Sequence, residues 1–172
     1  LLMYSIDTEE RKQDFVEDMG ARLGIEVKSM PSGGGLVAEC GIVVTTTPAR
    51  KGYFEAAWVH PGLHITSMGS DAEDKQELKG AVFAKADLIA CDLRAQSFRL
   101  GELRGAKEEG FVSDKTPVME IGEIIRNGKS ARTAADQVTI CDLTGVGVQD
   151  TMIARMAYEI AKRERAGIVV PR

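Results

Sequence analysis

Asp71 and Lys75 stand one helical turn apart just past a β-branched run, in the stretch "SMGSDAEDKQEL" from Ser67 to Leu78. A carboxylate in that position can exchange a proton with a bound substrate. The same residues also suit a plain helix start. Gly69 lets the backbone turn sharply, and Ser70 or Asp71 then caps the helix that "AEDKQEL" begins. The two roles are compatible.

Three other apolar runs end in polar clusters: Ser5 to Asp7, Thr45 to Pro48, and Thr144 to Gly147. In an open parallel sheet such strand ends face bound ligands. Ser5 is the first residue past "LLMY", where a dinucleotide fold usually places an acid on the adenosine ribose. Asp7 follows two residues later and is equally a helix-start residue. No glycine fingerprint precedes this strand. Thr45, Thr46 and Thr47 offer hydroxyls to a ribose or pyrophosphate, but threonine is also simply a good strand residue. "GVG", Gly145 to Gly147, lacks the third glycine of a dinucleotide fingerprint, since Asp150 stands there. It can still present backbone N–H groups ahead of a helix. His60 and His64 have the spacing of a metal pair, but Pro61 and Gly62 forbid the helix such a pair needs, so no metal is expected. "NGKS", Asn127 to Ser130, resembles the tail of a phosphate loop, but Glu123 stands where its first glycine is required and no strand precedes it.

The elements that position these residues read as alternating strands and helices. Apolar runs recur as "LLMYSI", "IEVKSM", "GIVVTTT", "LHITSM", "DLIACD" and "QVTICDL". Several are apolar throughout, as expected of parallel strands covered on both faces. Thr8 to Leu23 is a helix, with Thr8 as N-cap, Phe15, Val16, Met19 and Leu23 on one face, and Gly24 ending it. "PSGGG" reads as a surface turn. A long helix over Val148 to Ala166 carries Met152, Ile153, Met156, Ala157 and Ile160 on one stripe, which should close the domain or dock on another. The expected class is α/β, an open sheet wound by right-handed crossovers.

Composition sets the outer bounds. The 172 residues are 44% hydrophobic and 28% charged, ordinary for one globular domain. With 22 basic and 26 acidic residues, net charge −4, there is no basic run to track a phosphate backbone, and nucleic acid is not an expected partner. Cys40, Cys91 and Cys141 are odd in number and widely spaced, as reduced core thiols of a cytoplasmic protein would be. No apolar stretch reaches the roughly 18 residues of a membrane span. The chain opens without Met in what reads as mid-strand, so it is expected to be a piece of something longer.

"CGIVVTTTPA", "HPGLHITSMGSDAEDKQEL", "IGEIIRNG" and "VTICDLTGVGVQDTMIA", in this order, resemble successive motifs of the ornithine cyclodeaminase / mu-crystallin family. The resemblance implies a Rossmann-like, mostly parallel sheet with helices on both faces, lacking its first strand and glycine-rich turn. Residues 1–147 would be that partial dinucleotide-binding domain, and 148–172 a helix returning toward an absent substrate and dimerisation domain. It further implies NAD as cofactor, with NADP an alternative because Ser5 falls where many members carry the ribose-binding acid. Asp71 would be the catalytic aspartate. Thr45 and Thr47 at the end of one strand, Ile65, Ser67, Met68 and Ala72 around the next, and Thr144 would contact the cofactor, and Gly145 the substrate. The implied reaction is deamination and cyclisation of an amino acid, ornithine to proline plus ammonia. The alternatives are an imine reductase or amino acid dehydrogenase, and a binding protein without turnover. The partners would be a small amino acid or cyclic imine and, in the full-length protein, a second copy.

Overall fold

The computed structural model describes residues 1–128 and 131–168. Within them the chain runs β1 (Leu2–Met3), α1 (Glu9–Leu23), β2 (Lys28–Ser29), α2 (Gly33–Glu39), β3 (Ile42–Thr45), β4 (His64–Ser67), β5 (Leu88–Cys91), α3 (Arg94–Ser97), α4 (Glu102–Glu108), β6 (Met119–Glu120), α5 (Ile121–Asn127), β7 (Thr139–Asp142) and α6 (Gly147–Glu164). Two 3₁₀ turns, Ala56–Trp58 and Gly80–Lys85, flank β4. Every strand pairing among them is parallel. The strands form two sheets, β1-β2 and β3-β4-β7-β5-β6. Thus the α/β architecture of the sequence reading holds, with "LLMYSI" and "IEVKSM" contributing short strands. β6 and the helices α3, α4 and α5 are additions to it.

Local chemistry explains α1. The Thr8 hydroxyl accepts the Arg11 N–H at 3.4 Å, Glu9 and Glu10 fill the first turn, and Gly24 at φ 65° closes the end. Its apolar stripe is only partly covered, for no residue of α1 is buried. The main core lies on one side of the larger sheet. Val43, Ile65, Ile140 and Ile89 align across four strands, and all four are buried. Phe54, Leu63, Leu78, Val82, Leu103 and Ala106 pack with them. On β3 the opposite side is bare, with Ile42 70% and Val44 55% exposed. The expectation of cover on both faces is therefore not met there by the described residues.

Two further expectations need correction. "PSGGG" is not a surface turn. Ser32 caps α2 through Gly35 N–H at 3.1 Å. Gly33 and Gly34 lie under the Trp58 indole, where a Cβ would come within 3.2 and 2.9 Å of the ring. Glycine is there for close approach. "AEDKQEL" does not form a helix, and neither Ser70 nor Asp71 caps one. Glu77 and Leu78 are both fully buried, and Leu78 bridges to Phe54, which draws the segment inward as extended chain. The Ser70 hydroxyl instead donates to the Lys75 carbonyl at 2.9 Å. The long helix is α6, and it does not close this domain among the described residues, for Met152, Ile153 and Met156 are 59, 61 and 56% exposed. "NGKS" falls partly outside the described residues. No helix described is long and apolar enough to cross a membrane.

Candidate active site

Register brings the strand ends into one row. Thr45 of β3 pairs with Ser67 of β4, Ser67 with Asp142 of β7, and Asp142 with Cys91 of β5. Three segments therefore leave the same edge side by side: Thr46 to Pro48, Met68 to Ala72, and Leu143 to Gly145. The ladder runs one step further, with Met68 N–H on the Thr45 carbonyl and Leu143 N–H on the Ser67 carbonyl, both at 2.9 Å.

Beneath that edge lies a run of buried carboxyl groups. Glu77 Oε1 accepts from Thr47 N at 2.5 Å and Thr47 Oγ1 at 2.7 Å. Its Oε2 accepts from Thr45 Oγ1 at 2.6 Å, Gly69 N at 2.8 Å and Ser67 Oγ at 3.1 Å. Glu102 Oε1 takes the Glu77 N–H at 2.7 Å and Oε2 the Leu78 N–H at 2.9 Å. Asp142 accepts the first N–H groups of α4, Glu102 at 3.1 Å and Leu103 at 3.0 Å, which no helical carbonyl can satisfy. Half-buried Asp92, next to them, accepts from Thr144 N at 2.9 Å and Gly145 N at 2.7 Å. Burial pushes the Glu102 carboxyl up to about 8 and Asp142 up to about 7. Each acid thus fixes a loop at the site by its backbone.

Of the residues expected to act, Thr47, Met68, Asp71, Ala72, Thr144 and Gly145 come together on this edge. Asp71 is 54% exposed in its side chain and paired with Lys75 at 2.7 Å, whose hydrogen bond holds the carboxyl below its ordinary range. Met68 offers half-exposed apolar surface. Gly145 has φ 77°, with room around its Cα, but its N–H is given to Asp92 at 2.7 Å and its carbonyl accepts from Gln96 Nε2 at 2.6 Å. Thr45, Ile65 and Ser67 lie on the same strands and Thr144 just past β7, but their side chains are buried, the Thr45 and Ser67 hydroxyls turned to Glu77 and that of Thr144 to Asp92. They can meet a ligand only through the backbone.

Ser5 and Asp7 lie apart from this row, at the end of β1 in the smaller sheet. Ser5 Oγ accepts the Asp7 N–H at 3.1 Å, and Asp7 is held by Thr8 N–H and the Arg11 guanidinium. That is the helix-start arrangement. His60 and His64 turn to different partners, His60 Nε2 to the Val37 and Cys40 carbonyls at the end of α2, and His64 to Thr139 and Thr66.

Sequence reasoning missed Glu77, Glu102, Asp92 and Asp142. A signal existed for two of them, because "DLIACD" and "QVTICDL" each place an aspartate at a strand's carboxyl end. Nothing in "KQEL" marks Glu77 as buried.

Residues 1–165 match the sequence model of the ornithine cyclodeaminase/mu-crystallin family. The chain belongs to this family. It is 47% identical over 131 residues to an uncharacterised cyclodeaminase of Sinorhizobium fredii, covering 76% of this chain and 40% of that protein. Among solved structures it is similar to the iminosuccinate reductase of Paracoccus denitrificans in complex with NAD⁺, with TM-score 0.88 and 30% identity over 99% of this chain and 51% of that one. It is likewise similar to the Δ(1)-pyrroline-2-carboxylate reductase of Thermococcus litoralis in complex with NADH and L-proline, with TM-score 0.91 and 26% identity over 98% and 52% of the two chains. The chain spans about half, or less, of the length of these family members.

Proposed function

We propose that the polypeptide carrying these residues uses NAD(H), or NADP(H), for two-electron chemistry at the carbon–nitrogen bond of a small amino acid or its imine. The observation that carries the reading is a half-exposed carboxylate, Asp71, on the loop that follows β4 and apolar Met68, at the sheet edge where Thr47 and the Thr144–Gly145 turn also emerge. These groups fit the nicotinamide half of a dinucleotide. Met68 and Ala72 would flank the flat ring, and Thr47, Thr144 and the backbone of Ile65 to Ser67 would hold the ribose and amide. Ser5 and Asp7 would face the adenosine ribose. When bound, the dinucleotide supplies the electron pair exchange at the substrate carbon. A nitrogen that changes between imine and amine must exchange a proton, and Asp71 is the carboxylate on this edge to handle it. Lys75 holds that carboxyl below its ordinary range, and the carboxylate can orient a cationic nitrogen. Gly145 would meet the substrate through its backbone.

Net reduction of an imine is the favoured direction, because the two solved relatives described above are reductases. The redox-neutral conversion of ornithine to proline plus ammonia is the second reading, favoured by the Sinorhizobium relative's description as a cyclodeaminase. Residues 1–147 would form most of the dinucleotide-binding domain. The helix from 148 onward would return toward a substrate and dimerisation domain, which the exposed Met152–Ile153–Met156 stripe supports, and the working form would be a cytoplasmic homodimer. One experiment separates the readings. The intact natural polypeptide is given a cyclic imine carboxylate with NADH, and separately ornithine with a trace of NAD⁺. Loss of NADH absorbance matched to substrate supports the reductase, and ammonia released without net NADH change supports the cyclodeaminase. Dinucleotide binding without either would leave a binding protein.

A further inference from the structure

We infer that Glu77 is the positioning residue of this site, the group that sets where Thr47 and the Asp71 loop stand relative to each other. The inference rests on the function proposed above and goes beyond it, because Glu77 is fully buried and acts through the residues it holds. Its two oxygens divide between two strand ends. Oε1 holds the end of β3 through Thr47 N and Oγ1. Oε2 holds the end of β4 through Gly69 N and Ser67 Oγ, and Thr45 Oγ1 on β3 as well. The bond to Gly69 spans eight residues, so the side chain of Glu77 closes the base of the loop whose outer part carries Asp71 and Ala72. A cross-tie from Ser70 Oγ to the Lys75 carbonyl at 2.9 Å stiffens the middle of the loop.

The backbone of Glu77 is itself fixed from the other side. Its N–H is held by Glu102 at 2.7 Å, and its carbonyl accepts Tyr53 N at 2.8 Å and Phe54 N at 3.0 Å. The Thr47 and Gly69 N–H groups, one on each carboxyl oxygen, can only donate, so a carboxylate satisfies both ends. A glutamine would turn its NH₂ against either the Thr47 or the Gly69 N–H, and an aspartate is one methylene too short to span the two strands. Gly69 is glycine for the same reason, since a Cβ would overlap the Thr47 carbonyl oxygen and the Glu77 carboxyl. Desolvating a carboxylate costs several kcal/mol. An apolar residue would avoid that cost but leave both strand-end N–H groups unpaired.

The test compares Glu77→Gln with Val82→Ala, a core truncation away from the site, in the intact natural polypeptide and below both melting temperatures. The expected result is a kcat lowered roughly 10²-fold, as a misplacement of about an ångström produces, with a dinucleotide KM raised about tenfold. Val82→Ala should stay within about twofold of wild type in both constants despite its lower Tm, as a change that removes no site interaction does. Where Glu77→Gln does not fold, Ser67→Ala decides, because it removes the hydroxyl that Glu77 Oε2 shares with Glu102 Oε1 and adds no buried polar atom; a fall of about three- to tenfold in kcat is expected. Variants within twofold of wild type overturn this role alone and leave the proposed function standing. A wild-type protein that binds no dinucleotide overturns both.

Discussion

Replacing Asp71 by Asn should separate chemistry from stability. The side chain is 54% exposed, begins no helix, and has one ion-pair partner, Lys75 at 2.7 Å. An exposed pair of this kind is worth about 0–1 kcal/mol. For a chain of this size that is a fall in Tm of at most about 4 °C. Asn keeps the shape of the side chain but cannot take a proton. If Asp71 carries the proton of the substrate nitrogen, turnover should drop by roughly 10²- to 10⁴-fold, or about 3 to 5 kcal/mol in the barrier. The assay is steady-state NADH oxidation by the intact natural polypeptide, with calorimetry on the same samples. Lys75→Met is the companion. Because the Lys75 hydrogen bond is the largest cause of the depressed Asp71 pKa, its removal should move the acid limb of the pH–rate profile upward. Turnover by Asp71→Asn within about threefold of wild type, a change too small for a lost proton carrier, would refute the assignment.

Three more outcomes are expected. Glu102 and Asp142 are raised to about 8 and about 7 by burial, so the folded state binds protons that the unfolded chain has released. Their stabilisation is complete below the ordinary carboxyl range and is lost as pH rises toward 8, by about 1.4 kcal/mol per pH unit for each group. Urea midpoints at pH 5, 6.5 and 8 should fall in that order and less steeply in Glu102→Gln; a rising series would contradict the burial argument. Gly69→Ala should destabilise by roughly 3 kcal/mol, because its Cβ meets backbone and a fixed carboxyl rather than a flexible side chain; an unchanged Tm would count against the geometry. Ser5→Asp should tilt dinucleotide preference toward NAD by more than about tenfold, since a carboxylate repels a 2′-phosphate. An unaltered ratio of dissociation constants would place the adenosine ribose elsewhere.

What was legible in the sequence is what neighbouring residues decide. Thr8 and Gly24 bracket α1 because a cap and a left-handed closure are local requirements. The β-branched runs mark β3, β4, β5 and β7, and the resemblance marks Asp71. What stayed hidden depends on residues far along the chain. Three glycines in a row read as a loose turn until Trp58, more than twenty residues on, is seen to lie over the first two. An acid in "AEDKQEL" reads as a solvated helix face until donors from Thr45, Thr47, Ser67 and Gly69 are found to converge on it. Burial of a charge is a tertiary event, and no periodicity announces it.

No strand ladder joins the two sheets. β1 and β2 are two residues each, and α1 buries none of its side chains, so the β1–α1–β2 unit has little to hold it closed. In this 172-residue stretch taken by itself, amide hydrogen exchange should therefore resolve two cooperative units, with Leu2, Met3 and the α1 amides opening by a lower-energy route than the Val43–Ile65–Ile140–Ile89 row, and a strand from outside the stretch that paired with β1 would merge them. A dinucleotide held at Ser5 on one unit and at Thr144 on the other would bridge them. Binding would then register as slower exchange throughout α1, far from any atom of the ligand, because the smaller unit could no longer open without releasing it.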